Sequence, residues 1–253
     1  MKTQPFIAQF LENYFDKIFV LTIPRATDRH MAVKKQLEGL NFDFFYGVDK
    51  QMLDMQELVR ENIYNEARAK KMHRHHKGMI IGYIACALSH RMLCQHVVEK
   101  GYKRVLIFED DVMTVHEHLH LLPQAIRELP EDWEMVYFGY AKNEVITSKL
   151  KLKQLFYKIL SYAGLHKWTP LMVNNILPRL YSPHLKRAGS HDLLHAIGLS
   201  GEACKKLVAA QTPIAFHADS LITHLIMNGE LNAYITDPQF FIQTFTEPSY
   251  IHQ

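Results

Sequence analysis

Short runs of apolar, β-branched and aromatic residues alternate with longer segments of helical pattern along this chain. The first two runs, Lys17–Ile23 and Phe42–Val48, enclose a helical segment from about Arg29 to Leu40. Asp28 is the expected N-cap of that helix. The further runs predicted as strands are Arg104–Phe108, Trp133–Phe138, His195–Leu199 and Asn232–Ile235. Because strands that alternate with helices form a mainly parallel sheet flanked by helices, the sequence predicts an α/β fold.

Length and composition suit a single domain over residues 1–253. The chain is 48% hydrophobic with a formal net charge of +3, which excludes a disordered acidic chain and a histone-like one. No apolar run approaches the roughly 20 residues of a membrane span, and the N-terminus shows no signal-peptide pattern. Cys86, Cys94 and Cys204 are an odd count, and Cys86 and Cys94 are expected core residues. These features predict a cytoplasmic protein with reduced thiols.

Positive charge is concentrated in segment 141–190, which contains nine Lys and Arg residues and one Glu. Within it, Leu150–Leu160 mixes lysines with apolar residues at a spacing that fits a basic amphipathic helix. Such a helix can lie on an anionic membrane, which would place the protein peripherally at the inner face of the membrane. An ordinary helix packed on the core fits the same pattern. The basic residues follow no nucleic-acid-binding motif, so no nucleic-acid partner is expected.

Three consecutive carboxylates, Glu109, Asp110 and Asp111, directly follow the strand Arg104–Phe108. Like charges this close raise each other's pKa unless a cation is present, and Mn²⁺ or Mg²⁺ would accept these oxygen ligands. In extended backbone, Glu109 and Asp111 share one face. The triplet therefore predicts a metal site beyond a strand end, although a solvated loop before a helix has the same composition. By itself it fits nucleotide-sugar transferases, phosphohydrolases and nucleases alike.

Two segments together make the sequence similar to a known family. The run Cys86-Ala87-Leu88-Ser89-His90 and the later run Leu106-Ile107-Phe108-Glu109-Asp110-Asp111 resemble glycosyltransferase family 25. This family comprises the bacterial lipooligosaccharide galactosyltransferases and their collagen-modifying relatives. Weaker matches lie at Arg25, Asp28-Arg29, Gly47-Val48-Asp49, His195–Ser200 and Asp219. One departure is Tyr83, which stands where the family usually carries a carboxylate.

The resemblance implies a GT-A-like fold, in which a Rossmann-type sheet binds a uridine diphosphate (UDP) sugar. It implies transfer of a hexose with inversion at the anomeric carbon, with galactose as the commonest donor sugar. The implied acceptor is a sugar on a glycan or glycolipid of the lipooligosaccharide or lipopolysaccharide (LPS) type. The implied cofactor is Mn²⁺ or Mg²⁺, which would stabilise the charge that develops on the leaving diphosphate.

The resemblance and this chemistry together suggest roles for the polar residues near the strand ends. Glu109 and Asp111 are the expected metal ligands, and Asp110 is expected to support them or to touch the donor sugar. Arg25 and Arg29 follow the first strand, where a nucleotide would lie, and their forked side chains suit a diphosphate. Each arginine could equally lie at the start of a surface helix.

Five further residues complete the candidate site. Asp49 is expected either to accept a hydrogen bond from the ribose or uracil or to be a turn residue. Asp219 is the candidate base for the acceptor hydroxyl, or a plain helix cap; a helix N-terminus would lower its pKa. Ser89 and His90, on the helix before the acidic strand, are expected to lock that helix to the sheet by hydrogen bonds. Tyr83 is a candidate residue on the acceptor side.

Two other functions stay open at this stage. A metal-dependent phosphohydrolase could use the same carboxylates, but it needs further ligands for a second metal, and the sequence shows no paired motif. A non-catalytic carbohydrate-binding relative would be consistent with Tyr83. Separately, His73, His75 and His76 lie in a basic loop and could bind zinc or an anion, or be solvated.

Overall fold

The computed structural model describes residues 5–72 and 77–244. Within these ranges the helices are α1 (Pro5–Tyr14), α2 (Thr27–Gln36), α3 (Met55–Arg60), α4 (Glu66–Met72), α5 (Ile81–Lys100), α6 (Leu122–Arg127), α7 (Ser148–Tyr162), α8 (Pro170–Asn174), α9 (Gly201–Ala210) and α10 (Ala218–Met227). The strands are β1 (Lys17–Thr22), β2 (Asp43–Tyr46), β3 (Arg104–Glu109), β4 (Val112–Thr114), β5 (Met135–Ala141), β6 (Arg179–Ser182), β7 (Leu185–Arg187), β8 (Asp192–Ser200), β9 (Ala233–Thr236) and β10 (Phe241–Gln243). Single 3-10 turns lie at Lys50–Met52 and Leu119–Leu121.

Eight strands form one sheet in the order β2-β1-β3-β8-β5-β9-β7-β6, and β4 pairs with β10 in a small antiparallel sheet. In the large sheet β1–β2, β1–β3 and β5–β9 are parallel pairs, whereas β8 and β7 run antiparallel to their neighbours. Most strands of the sheet therefore share one direction. The predicted α/β fold with a mainly parallel sheet flanked by helices is confirmed, and the two reversed strands make the sheet mixed.

The first strand, helix and strand form the parallel unit that the sequence predicts. The expected boundaries of its helix are wrong at both ends. Ala26 rather than Asp28 precedes the helix, and Asp28 lies in its first turn. The helix ends at Gln36 instead of Leu40, because the chain reverses through Gly39, whose φ of +94° favours glycine.

Alternate residues of the central strands enter two separate cores, one on each face of the sheet. In β1, Phe19 and Leu21 pack on the face covered by α5, α9 and α10. Ile18 and Val20 pack on the opposite face, with α1, α2 and α6. Successive side chains of a strand point to opposite faces, so a strand buried on both faces is apolar throughout. In β1 the polar residues, Lys17 and Thr22, are therefore at the two ends of the strand.

The basic segment 141–190 supplies α7, α8 and the hairpin β6–β7. Strand β7 pairs antiparallel with β9, so the hairpin extends the large sheet at one edge. Helix α7 contains the predicted amphipathic stretch Leu150–Leu160. Across the two described ranges, no helix has both the length and the apolar character needed to cross a bilayer.

Candidate active site

A polar cavity lies beyond the carboxyl ends of β1, β2 and β3, against the first half of α5. Its polar lining residues are Thr22, Arg25, Arg29, Asp49, Lys50, Ser89, His90, Glu109, Asp110, Asp111 and Gln243. The carboxyl ends of parallel strands meet at one edge of a sheet, which explains why segments far apart in sequence converge here. The structure brings the predicted metal-binding and donor-binding residues together. Asp219 and Tyr83 lie outside this lining.

Arg25 and Asp49 form a two-point ion pair where β1 and β2 end. Arg25 Nε is 2.5 Å from Asp49 Oδ2, and Nη2 is 3.3 Å from Oδ1. Asp49 also accepts the N–H of Gln51 at 3.0 Å and so caps a 3-10 turn. Partial burial acts to raise the pKa of Asp49, but the bonds from Arg25 and Gln51 outweigh it, so this pKa lies below its usual value. Asp49 is therefore both a turn residue and the partner of an arginine.

Arg29 lies between two carboxylates of the acidic triplet. Its Nη1 is 2.8 Å from Asp110 Oδ1 and 3.5 Å from Asp111 Oδ2. Asp110 also accepts a hydrogen bond from the hydroxyl of Thr22 in β1. The side chains of Arg29 and Asp110 are only 11% and 9% exposed. This pairing fixes a guanidinium inside the cavity, in reach of any anionic group that enters it.

Glu109 faces the helix α5 rather than Arg29. His90 Nε2 lies 3.1 Å from Glu109 Oε1, and Cys86 precedes His90 by one helical turn. One ligand atom from each of Cys86, His90 and Glu109 lies within 4.8 Å of the others, a grouping that could hold a metal ion. Burial acts to raise the pKa of Glu109, but the hydrogen bond and charge of His90 lower it below its usual value. Burial also raises the pKa of the Cys86 thiol.

Asp111 has one carboxylate oxygen in a hydrogen bond and one that is buried. Its Oδ2 accepts a hydrogen bond from Gln243 Nε2 at 2.9 Å, whereas its buried Oδ1 has no hydrogen-bond partner among the described residues. Burial, with the nearby charge of Glu109, raises the pKa of Asp111 to about 7. A buried acceptor of this kind is costly unless something satisfies it, and a hard divalent ion takes such oxygens as ligands. The buried Asp111 oxygen is therefore a candidate ligand atom for a divalent cation, beside the grouping of Cys86, His90 and Glu109.

Ser89 connects α5 to the loop after β2. Its hydroxyl accepts the N–H of Val48 at 2.8 Å and donates to the carbonyl of Ala85 at 2.8 Å. Gly47 allows this approach, because a Cβ at that position would overlap Ser89 Oγ and lie 2.6 Å from its Cβ. The hydrogen bonds expected of Ser89 and His90 are thus present, and both join α5 to the ends of strands.

Asp219 lies in the first turn of α10, whose N-cap is His217, so the plain-cap alternative is wrong. The Asp219 carboxylate accepts the N–H of Ser220 at 2.7 Å and that of Leu193 in β8. Burial, together with the charge of Asp192, raises the pKa of Asp219 above its usual value despite these two bonds. The N–H of Ser220 at the start of the helix does lower this pKa, as expected, but loss of solvent outweighs it.

Asp219 is close enough to the cavity to interact with its acidic side. Its negative charge raises the pKa of Cys86, and the charge of Glu109 raises that of Asp219. Tyr83, one turn before Cys86 on α5, stacks on His217 with ring centroids 4.0 Å apart and planes inclined by 13°. The stack thus joins the start of α5 to the start of α10, beside the candidate base.

The structure adds Cys86, Thr22, Gln243 and Leu193 to the residues that the sequence predicts. Cys86 and His90 are four positions apart on a helix, and this spacing could have shown that both face the acidic strand. Gln243 lies 132 positions from Asp111, and no local pattern points to it. The expectation that Cys86 is a core residue misses its place in the cavity lining. His73, His75 and His76 lie outside the described residues.

Acidic residues and arginines converge beyond the strand ends of a mixed sheet. These features define an α/β protein that has a charged ligand cavity at the point where the strand order of its sheet reverses. Comparison with known families narrows this class. The profile described as glycosyltransferase family 25 (LPS biosynthesis protein) matches residues 15–222, and the chain belongs to this family. The family resemblance predicted from sequence is confirmed.

Three curated relatives show how far the similarity extends. Procollagen galactosyltransferase 2 of Mus musculus is 25% identical over 141 residues, which cover 52% of this chain and 22% of the relative. A glycosyltransferase 25 family member of Drosophila melanogaster is 27% identical over 131 residues, 49% of this chain and 21% of the relative. The inactive glycosyltransferase 25 family member 3 of Homo sapiens is 26% identical over 138 residues, with shares of 49% and 22%. The match spans about a fifth of the length of these relatives.

Proposed function

We propose that the chain is an inverting, metal-dependent glycosyltransferase that moves galactose from UDP-galactose to a glycan or glycolipid of the LPS type. The family match and the names of the galactosyltransferase relatives support the reaction class and the sugar. The observation that carries the proposal is the convergence of Arg25, Arg29 and three carboxylates in one cavity. Departure of a nucleoside diphosphate needs positive charge at the leaving oxygens, and this cavity offers both arginines and ligands for a cation.

The donor diphosphate would bind at Arg29 and Arg25. Asp110 holds Arg29 at 2.8 Å and Asp49 holds Arg25 at 2.5 Å, so both guanidinium groups are positioned before the donor arrives. Positioning of this kind reduces the side-chain entropy lost on binding. Asp49, whose pKa lies below its usual value, is ionised and would accept a hydrogen bond from the ribose or the uracil.

Glu109 and Asp111 would hold Mn²⁺ or Mg²⁺, and the unsatisfied Oδ1 of Asp111 supports this assignment. When bound, the ion supplies Lewis-acid stabilisation of the leaving diphosphate. His90 would orient the Glu109 carboxylate through its contact at 3.1 Å. The group Cys86, His90 and Glu109 would favour a softer ion such as Zn²⁺. The variant Cys86→Ala distinguishes this ion site from the one at Glu109 and Asp111.

Asp219 would take the proton of the acceptor hydroxyl. The acceptor oxygen then bonds to the anomeric carbon from one face, while the bond to the diphosphate breaks on the other face and UDP leaves. The raised pKa of Asp219 makes it a stronger proton acceptor than an ordinary aspartate, and the Leu193 N–H orients it. The Tyr83–His217 stack would contact the acceptor sugar beside this base. We place the reaction in the cytoplasm, where a glycolipid acceptor lies at the inner face of the membrane.

Calorimetric titration of UDP with and without Mn²⁺ tests the proposal. Wild-type protein should bind UDP more tightly with Mn²⁺, and Asp111→Asn should lose this metal dependence. Asp132→Asn, which alters an exposed carboxylate, should keep it. Cys86→Ala separates the two ion sites, because unchanged Mn²⁺ dependence supports Glu109 and Asp111, and its loss supports the group with Cys86. Absence of UDP binding by wild-type protein with Mn²⁺ would contradict the donor assignment.

A non-catalytic carbohydrate-binding role is the second candidate, and two observations favour it. One curated relative is named inactive, and Tyr83 departs from the family pattern. The two candidates differ in turnover rather than in binding. Release of UDP from UDP-galactose in the presence of Mn²⁺ and an acceptor glycan supports the transferase. UDP binding without release from any UDP-hexose would support the second candidate. The family match favours the transferase and the carbohydrate-binding protein over a phosphohydrolase.

A further inference from the structure

The inward face of helix α7 combines polar side chains with the half-buried Leu150, Tyr157 and Leu160. Gln154 donates hydrogen bonds to the carbonyls of Val173 and Asn174 in α8, at 2.8 and 3.2 Å. Ser161 is buried and donates to the carbonyl of Trp168 at 2.6 Å. In an ordinary surface helix the apolar face packs on the core and the polar face contacts water. Helix α7 departs from this pattern, because five of its large apolar side chains are exposed.

The outward face of α7 is a row of large apolar side chains, which we name the apolar stripe. It consists of Leu152, Leu155, Phe156, Ile159 and Tyr162, which are 69%, 54%, 55%, 60% and 69% exposed. Spacings of three and four residues place these five side chains on one face of the helix. Single exposed apolar residues are common on proteins, but a contiguous group of this kind marks a contact surface.

Lysines border the apolar stripe on both sides. With about 100° of rotation per residue, Lys149 and Lys153 project on one side of the stripe, and Lys151 and Lys158 project on the other. The sequence has no Asp or Glu from residue 145 to residue 191. The surface that α7 presents is therefore apolar along its centre and positive along both margins.

We propose that α7 docks the protein on an anionic lipid bilayer, with the apolar stripe in the interface and the four lysines at the headgroups. Such a surface gains from apolar burial and from lipid charge together. A second copy of the chain fits less well, because pairing two stripes would bring two sets of lysines together. The inference goes beyond the proposed function, since it uses no residue of the cavity and no property of the donor.

Cosedimentation with lipid vesicles tests the docking surface. Vesicles of phosphatidylcholine alone are compared with vesicles that contain about 30% phosphatidylglycerol, at about 0.15 M salt. We expect wild-type protein to bind the anionic vesicles at least about 10-fold more strongly than the neutral ones. The variant Leu155→Gln/Phe156→Gln/Ile159→Gln should lose at least about 10-fold in binding to anionic vesicles. The variant with Lys149, Lys151, Lys153 and Lys158 changed to Gln should lose the preference for anionic lipid.

Matched variants elsewhere on the surface control for general effects. Phe6→Gln/Met31→Gln/Val59→Gln removes three side chains that are 64%, 67% and 45% exposed, and should bind vesicles as wild type does. A variant with the exposed Lys35, Lys100, Lys103 and Lys205 changed to Gln matches the charge change of the other variant. Because all substitutions are at the surface, unchanged thermal unfolding and UDP titration should show that the fold and the cavity are intact.

Three results would overturn the proposal. Wild-type protein could remain in the supernatant with anionic vesicles, or the stripe variant could bind them as wild type does. Alternatively, sedimentation equilibrium without lipid could show a wild-type dimer that the stripe variant abolishes, which would assign the stripe to self-association. None of these results bears on UDP binding, so failure here is distinguishable from failure of the proposed function.

Discussion

The guanidinium of Arg29 lies 2.8 Å from the carboxylate of Asp110, although the two residues are 81 positions apart in the chain. The pair is largely buried, and Arg29 also reaches Asp111 at 3.5 Å. One cation thus offsets part of the negative charge of the triplet before any ligand binds. Removing one partner of a buried pair leaves the other uncompensated, so the pair is important for the fold as well as for the cavity.

The first prediction concerns this pair. Arg29→Met should lower the free energy of unfolding by about 3 kcal/mol, because it leaves Asp110 buried beside two other carboxylates. Asp110→Asn should cost less, since an amide can still hydrogen-bond Thr22. The double variant should be more stable than the sum of the two changes predicts, by about 1–3 kcal/mol. Urea unfolding with a chelator present measures all four proteins.

The exposed pair of Arg60 and Glu57 provides the control for this cycle. Their side chains are 69% and 60% exposed at 3.5 Å, so the equivalent substitutions should show coupling below about 0.5 kcal/mol. Additive changes at Arg29 and Asp110 would mean that the buried contact contributes nothing, contrary to this prediction.

A second prediction follows from the close approach of Gly47 to Ser89. Gly47→Ala should destabilise the protein by about 2 kcal/mol, because the new Cβ overlaps Ser89. Ser89→Gly removes the obstructing atoms but also the hydrogen bond from Val48. The double variant should therefore be less destabilised than the sum of the single variants, as measured by thermal unfolding. If the double variant is destabilised by as much as the sum of the single variants, or by more, the overlap between residues 47 and 89 is relieved by backbone movement instead.

Much of the central sheet could be predicted from sequence because its strands are short, apolar and buried on both faces. Lys17–Ile23 and Arg104–Phe108 coincide with β1 and β3 to within one residue at each end. The reversed direction of β8 could not be predicted, since the direction of a strand depends on distant partners. The hairpin β6–β7 could not be predicted from an apolar pattern either, because only Leu185 among its seven strand residues is buried.

The members of the candidate site were easier to predict than their arrangement. Residues that follow strands share an edge of the sheet, so Arg25, Asp49 and Asp111 could be grouped from sequence. The particular partners could not, because Arg29 meets Asp110 and Asp111 meets Gln243 only through the tertiary fold. The same holds for the pKa of Asp219, which burial and the charge of Asp192 raise by more than the N–H groups of Ser220 and Leu193 lower it.

A third prediction concerns stability at low pH, through a contact away from the cavity. Glu128, at the end of α6, accepts hydrogen bonds from Ser182 Oγ at 2.5 Å and from His184 N and Nδ1 at 2.9 and 2.7 Å. Burial acts to raise the pKa of Glu128, but these bonds outweigh it and lower the pKa from 4.5 to about 2. Glu128→Gln should therefore lower the free energy of unfolding by about 2 kcal/mol at pH 7.

The sign of this pH dependence follows from the lowered pKa. A carboxylate whose pKa is lower in the folded state stabilises the fold fully above its unfolded pKa, here 4.5, and this contribution is lost as the pH falls towards 2. The difference between wild type and Glu128→Gln should thus be present at pH 7 and at about pH 5.5 and should be smaller at pH 4. Urea unfolding at these three pH values measures it, with Glu131→Gln as an exposed control. A difference that does not change with pH would contradict the assignment.

The fourth prediction tests Asp219 as the base. Asp219→Asn keeps an acceptor for the N–H groups of Leu193 and Ser220 but cannot take a proton. We expect kcat for transfer from UDP-galactose to fall at least about 100-fold, with UDP binding within about twofold of wild type.

Asp192→Asn gives the matched test, because it removes the neighbouring charge that raises the pKa of Asp219 and leaves the base in place. With less repulsion Asp219 ionises more readily, so the acidic limb of the kcat profile should move to lower pH, while kcat on the plateau stays within a few-fold of wild type. An acidic limb that does not move in Asp192→Asn, or an Asp219→Asn enzyme with wild-type kcat, would assign proton removal to another group.

Lys142, which pairs with Asp192 at 3.1 Å, allows a shift of the acidic limb in the opposite direction to be tested. Lys142→Gln leaves the Asp192 charge less balanced, so it should move the same limb to higher pH.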